Sequence, residues 1–253
     1  MNSLLSQLPA QTPFEWSLLV VTALLIGMSK TGIQGINMLM IPLMAIAFGA
    51  KPSTGVILPM LCFSDLLAVI YYRRQAEWKH IVRLLPAAIA GFGLAVAVDR
   101  LIPPAGFRIL LAGCLLLGLA IMIYAELRRG ENKLAGSRWY GPLFGLAGGF
   151  TTMIGNAAGP VMAIYLLSVK LPKYAFVGTS AWFFLVVNYL KLPIQIYAWE
   201  NINPATLTLN LCMIPFMIAG ALCGIYIVRK LPEDGFRKVI IGVTVLSTLI
   251  LLL

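Results

Sequence analysis

The sequence predicts an all-α polytopic membrane protein. It reads as two inverted repeats of about five segments each, with broken or half-membrane helices at the repeat interface. Three observations carry this. First, the 253 residues are 60% hydrophobic and only 11% charged, against roughly 45–50% apolar and about 25% charged in soluble domains. Second, apolar stretches recur along the whole length with no long polar block between them, as in helices that satisfy their own backbone groups in lipid. Third, the two halves of the chain match each other in register.

The apolar segments fall at 14–29, 36–50, 53–72, 80–98, 106–125, 139–153, 157–169, 174–197, 205–228 and 235–253. A helix needs about 20 residues to cross the hydrocarbon core. Segments 36–50 and 157–169 are shorter, so each is either a full crossing or part of a hairpin with its predecessor. If the chain changes side across these segments, one face collects fifteen Lys and Arg residues and the other four. Cytoplasmic loops are the Lys/Arg-rich ones, so both termini are expected outside the cytoplasm, in a bacterial inner membrane. The N-terminus lacks a basic leader region, so the first segment is expected to stay as a membrane helix.

The connection ELRRGENKLAGSR, residues 126–138, divides the chain almost in half. It is expected to be a cytoplasmic linker between a first membrane repeat, 1–125, and a second, 139–253. A shift of 129 residues aligns Pro86 with Pro215, Gly91 with Gly220, Arg100 with Arg229 and Gly106-Phe107-Arg108 with Gly235-Phe236-Arg237. Earlier in each half the shift is 120–123, matching Thr31 with Thr151, Gly35 with Gly155, Pro52 with Pro172 and Gly55 with Gly178. Apolar composition alone does not place Pro, Gly and Arg in register. Five segments per half turn one half upside down relative to the other, the plan of many secondary transporters.

The net charge of +10 raises nucleic acid as a partner. The positive residues lie in short loops between apolar segments, where they act as topology signals instead. Cys62, Cys114, Cys212 and Cys223 all fall in apolar stretches without a CxxC pair and are expected to be buried, free thiols. His80 has no Cys or carboxylate cluster around it. No metal or cofactor site is expected, and a homo-oligomer is left open.

Polar residues break the apolar pattern at two corresponding places, KTGIQGIN (30–37) and TTMIGNAAGP (151–160). Irregular backbone at membrane depth must be buried in protein or line a cavity. A helix restarting after such a break presents free N–H groups and a partial positive charge. Asn156 fits an N-cap, with Pro160 in the first turn after it; Asn37 and Pro42 fit the same parts less closely. Two such helix starts facing each other would attract an anion. The candidate binding residues are Thr31, Gln34, Gly35 and Asn37 at the first break, and Thr152, Gly155, Asn156 and Gly159 at the second. The alternative is that these small residues only let helices pack closely.

Asp65 lies well inside segment 53–72. A carboxylate there costs roughly 2.5–3.5 kcal/mol on insertion scales, so it needs a partner, either Lys30 or Lys191, or a proton-carrying role. The repeat sets Asn188 opposite Asp65. Lys191 lies one turn beyond Asn188 on the same face; it is either a counter-charge for substrate or a snorkelling lysine. Asn188 and Lys191 join the candidate binding set, and Asp65 is the candidate for proton coupling. Thr179 and Ser180 either line the pathway or bond back to their own helix. Trp16, Trp78, Trp139, Trp182 and Trp199 read as interfacial residues.

At these residues the chain resembles the sulfite exporter TauE/SafE family of small transmembrane anion transporters. The resemblance is carried by KTGIQGINMLMIPLMAIAFGAKPSTGVILP in the first half and TTMIGNAAGPVMAIYLLSVKLPKYAFVGTSAWFFLVVNYLKLP in the second, and it spans nearly the whole chain. Many members carry a GxGGG-like run where this chain reads GIQGIN, which implies a more polar first-half site here. The resemblance implies export of small sulfur-containing anions such as sulfite, sulfoacetate, other organosulfonates or thiosulfate, through a multi-pass protein whose partners are its substrate and membrane lipid. The alternatives are an anion channel, for which the sequence offers no rings of like charge, and transport of a non-sulfur organic anion. An intramembrane enzyme would need a nucleophile with a base in reach, and no Ser-His-Asp set or HExxH is present.

Overall fold

The computed structural model describes residues 12–101, 113 and 137–252; the side chain of Asn37 lies outside that description. So do Cys114, nearly all of the segment expected at 106–125 and most of the linker at 126–138. The described chain is helical, with no strand among the described residues. The elements are α1 (Pro13–Thr31), a 3-10 turn (Ile36–Leu39), α2 (Met40–Phe48), α3 (Ala50–Tyr72), α4 (Trp78–Leu101), α5 (Tyr140–Gly155), α6 (Gly159–Ser168), α7 (Lys173–Pro193) continuing into a π turn (Ile194–Ala198), α8 (Pro204–Lys230) and α9 (Glu233–Leu252). Among the described residues, five stretches are long and apolar enough to cross a membrane: Pro13–Thr31, Lys51–Tyr72, Trp78–Asp99, Lys173–Ala198 and Pro204–Lys230. With nine and ten residues, α2 and α6 extend only about 14–15 Å at the helical rise. That is half of a hydrocarbon core of about 30 Å.

Two of the long helices start on reciprocal caps. Thr12 Oγ1 accepts from the Glu15 amide, and Glu15 Oε2 accepts from the Thr12 amide, with Pro13 opening α1. Asn203 Oδ1 and Thr206 Oγ1 do the same for α8, with Pro204 following the cap. Such caps satisfy amides that the helix itself cannot.

Glycine governs the closest packing. A Cβ on Gly27 of α1 would collide with the Met217 carbonyl of α8, and one on Gly220 of α8 with the Leu24 carbonyl of α1. The same arrangement recurs between α4 and α5, where Gly149 lies on the Ala88 carbonyl and Gly91 on the Leu146 carbonyl. Successive contacts rise together, Leu24 with Gly220 and Met28 with Gly224 on one interface, Leu84 with Gly145 and Ala88 with Gly149 on the other, so both pairs run parallel. The 129-residue shift carries Gly91 onto Gly220 and Ala88 onto Met217; the shorter shift carries Leu24 onto Leu146 and Gly27 onto Gly149. Small residues that let backbones approach are the usual device where lipid supplies no hydrophobic drive between helices.

The helices gather around two main cores, each drawn from both halves of the chain. Leu19, Ala23 and Ile26 of α1 pack with Val56 and Met60 of α3 and with Leu209, Met213 and Met217 of α8. Leu84, Ala88 and Phe92 of α4 pack with Met153 of α5, Val161 of α6, Phe183 of α7 and Ile240 of α9. The outer faces carry exposed Ile70, Val82, Leu211 and Leu222, which suits contact with lipid. One sequence expectation fails here. Cys62 is buried and free, but Cys212 and Cys223 are exposed on α8, because an apolar residue on a membrane helix satisfies its surroundings facing outward as well as inward.

Candidate functional site

The two breaks meet. Gly35 has φ of +91°, a left-handed conformation that glycine takes without a Cβ penalty. A Cβ on Gly159 would lie 3.5 Å from the Gly35 Cα, so the break after α1 abuts the start of α6 with no side chain between them. α5 ends in Asn156, whose φ of 56° and ψ of 28° are left-handed and whose amide donates to the Thr152 carbonyl at 3.0 Å. Asn156 is therefore the C-cap of α5 and not the N-cap of α6; Ala158 holds the N-cap position, and Pro160 does fall in the first turn. Asparagine serves both kinds of cap, and here its tolerance of the left-handed region decides. Its side chain is freed from capping to face the interior. At the first break a 3-10 turn intervenes, so Leu39 precedes α2 at the cap and Asn37 lies within the turn.

Between the breaks is a cavity of about 20 Å³, room for a water molecule or two. Of the residues singled out in the sequence, Gln34, Gly35, Thr152, Asn156, Gly159 and Asn188 line it. Ser29, Lys30, Leu61 and Phe184 complete the wall. Lys30 is the residue the sequence offered as a partner for Asp65, and Ser29 was legible as a polar residue ending an apolar run; Leu61 and Phe184 carried no signal. The carbonyl oxygens of Gln34 and Asn188 are buried and have no hydrogen-bond partner among the described residues. Both residues border the cavity, where a water or a ligand donor would satisfy those oxygens. The Gln34 amide donates to Ser180 Oγ on α7.

Three predicted residues stand back from the cavity, as does Asp65. Thr31 Oγ1 donates to the Gly27 carbonyl at 3.0 Å and to the Ala221 carbonyl at 2.8 Å, so it ties α1 to α8. Gly155 is the buried last residue of α5. Lys191 is 0% exposed; it does not snorkel. Its ammonium donates to Asn156 Oδ1 at 2.7 Å, to Thr152 Oγ1 at 3.0 Å and to the Thr152 carbonyl at 3.1 Å. It thus lies directly behind two residues of the cavity wall. Asp65 is also 0% exposed. It pairs with Lys30, 2.9 Å from Nζ to Oδ1, and accepts from Asn188 Nδ2 at 2.6 Å. Lys30 also sits 4.0 Å above the Phe184 ring. Of the other two α7 hydroxyl candidates, Thr179 Oγ1 accepts from the Glu77 amide at 2.9 Å and so serves a loop.

The charges do not balance. Lys30 is met by Asp65, whereas Lys191 has only neutral oxygens and no carboxylate among the described residues. With both lysines protonated the site holds one positive charge in excess, in a place where an unmet ion costs several kcal/mol. An anion against Thr152 and Asn156 would offset that cost. Among the described residues no group of three or more His, Cys, Asp or Glu is placed to hold a metal ion.

Broken, mostly apolar helices around a buried charged cavity define a multi-pass helical membrane protein. Residues 19–251 match the family described as Sulfite exporter TauE/SafE. The chain belongs to that family, and membership implies anion export across a membrane. Compared with curated proteins and with solved structures, the chain has no match.

Proposed function

We propose that this chain is a secondary exporter of small sulfur-containing anions, such as sulfite, sulfoacetate or other organosulfonates, working by alternating access at a midplane site. The single observation that carries the reading is the uncompensated Lys191 behind Thr152 and Asn156. A sulfur oxyanion offers several acceptor oxygens to the Asn156 amide, the Thr152 hydroxyl and the start of α6, where the helix dipole favours negative charge. The cavity is smaller than such an anion, so binding requires a wall to move.

The reciprocal glycine contacts support an inverted-repeat plan, with repeats 1–125 and 139–253, and the uneven Lys/Arg distribution supports a cytoplasmic linker at 126–138 with both termini extracytoplasmic. They also suggest which parts move. α1 is locked to α8, and α4 to α5, so the rocking bodies each borrow a helix from the other half, and the cavity lies between them. Asp65 supplies proton coupling. A proton on Asp65 dissolves its ion pair and releases the Lys30 ammonium towards the cavity, adding a second positive charge when an anion is to be held.

The test is counterflow in proteoliposomes. Labelled sulfoacetate should accumulate transiently against trapped unlabelled sulfoacetate, saturably, with competition by sulfite and not by acetate. Flux that never saturates and shows no counterflow would mean a channel. Equal competition by acetate would mean a non-sulfur organic anion.

A further inference from the structure

The geometry points to a polar latch formed by Thr54, Gln195 and Asn201, which seals the cavity towards the face carrying Lys51 and is released when a bound anion takes the Asn156 amide. None of these three residues belongs to the cavity wall. They lie where the start of α3 meets the π turn and loop that follow α7, and they continue the hydrogen-bond path from the site. Asn156 Nδ2 donates to the Thr54 carbonyl at 3.4 Å. Gln195 Nε2 donates to Thr54 Oγ1 at 3.2 Å. Asn201 Nδ2 donates to Gln195 Oε1 at 3.0 Å and to the Lys51 carbonyl at 3.1 Å. The path ends at Lys51, a partly exposed residue paired with Asp99 at 2.8 Å and lying 4.7 Å above the Trp199 ring.

Three features suit this segment to a part that opens. Its closing bonds are between neutral groups, each of modest net strength and readily exchanged for water. The backbone is irregular: a π turn at Ile194–Ala198 is followed by Glu200 at φ of 53°, and π turns gather at functional sites. The loop also rests directly on α3, since a Cβ on Gly55 would collide with the Asn201 carbonyl. The opposite end of the same helix pair is closed differently. There Tyr72 donates to the Thr31 carbonyl at 3.0 Å, and Trp78 packs on Trp182 with ring centres 5.0 Å apart. Asn156 couples ligand to latch, because its Oδ1 is held by Lys191 while the bond from Nδ2 to Thr54 is long. An anion that draws on Nδ2 weakens the first bond of the latch.

This inference rests on reading the cavity as the transport site, and the experiment separates the two. In a background with Cys62, Cys114, Cys212 and Cys223 replaced by Ala, a Leu61→Cys reporter places one thiol in the cavity wall. Membrane vesicles are treated from the Lys51 face with an impermeant methanethiosulfonate reagent. Gln195→Ala and Asn201→Ala should each raise the labelling rate about tenfold, while Tyr72→Phe at the opposite end should leave it unchanged. Melting curves establish that each protein is folded. Should the amide variants misfold, Thr54→Val removes the same acceptor at nearly constant volume and carries the test. Unchanged labelling in the latch variants, or an equal rise with Tyr72→Phe, would overturn the latch. Sulfoacetate-induced stabilisation is measured on the same proteins; its absence in the parent would remove the transport-site reading and leave the labelling result standing.

Discussion

Lys30 and Lys191 lie in different halves of the chain, and both are largely withdrawn from solvent, yet their ammonium groups keep opposite company. Lys30 meets the Asp65 carboxylate. Lys191 meets an amide oxygen, a hydroxyl and a backbone carbonyl. The scaffolds around them correspond, down to Gly27 and Gly149 each lying on a carbonyl of a parallel neighbour. On the proposed repeat plan, corresponding scaffolds hold two unlike charge sites. The first half carries a balanced pair with a group that can take a proton, and the second carries the excess charge that an anion would meet.

The sharpest way to break this comparison is to delete each charge. Lys30→Met strands Asp65 in the interior, and losing one partner of a buried pair costs about 3–5 kcal/mol. The expected result is a large fall in melting temperature, recovered mostly by adding Asp65→Asn. Lys191→Met strands only neutral acceptors, at about 1–3 kcal/mol, and should leave a folded protein that no longer responds to sulfoacetate. If the two variants lose the same stability, the two lysines are not different in kind.

Next in size is the pH response. If Asp65 must take a proton to free Lys30, sulfoacetate affinity should rise as pH falls, and Asp65→Asn should bind with little pH dependence. Titrations of wild type and variant by calorimetry read this directly; the same slope in both would remove Asp65 from coupling. Smaller still is Asn156→Gly, which keeps the left-handed cap that a Cβ strains by about 1–2 kcal/mol and removes only the amide. Stability should hold within about 1 kcal/mol while anion binding is lost. The scaffold supplies a test that leaves the charges alone. Gly27→Ala and Gly149→Ala should destabilise to a similar degree, since each drives a Cβ into a carbonyl, while Gly93→Ala has open space around it and should be neutral or slightly stabilising.

Much of this was legible in the sequence. The apolar runs mark most helix starts within a residue or two, as 14 for Pro13 and 205 for Pro204, but miss the start of α3 by three. The internal match sets Asn188 opposite Asp65, and the two are hydrogen-bonded; the two polar breaks face each other. What was not legible depends on direction. Asn156 suits either end of a helix, and only the backbone shows which. Lys191 near the end of an apolar run looks like a snorkelling residue until its neighbours are known. Thr54, Gln195 and Asn201 sit at segment ends, where polar residues are ordinary, so nothing in their spacing announces a connected path. Cys212 and Cys223 show the same gap, since apolar surroundings in sequence do not tell protein from lipid.

The most direct test of the central claim is the binding of sulfoacetate to purified wild-type and Lys191→Met protein, both confirmed as folded. The account predicts saturable binding to wild type, weakened by sulfite and not by the zwitterion taurine, and at least about a hundredfold loss in the variant, the scale of a charge-assisted contact in a buried site. Equal affinity in the two proteins would mean that the excess charge at Lys191 does not hold the anion.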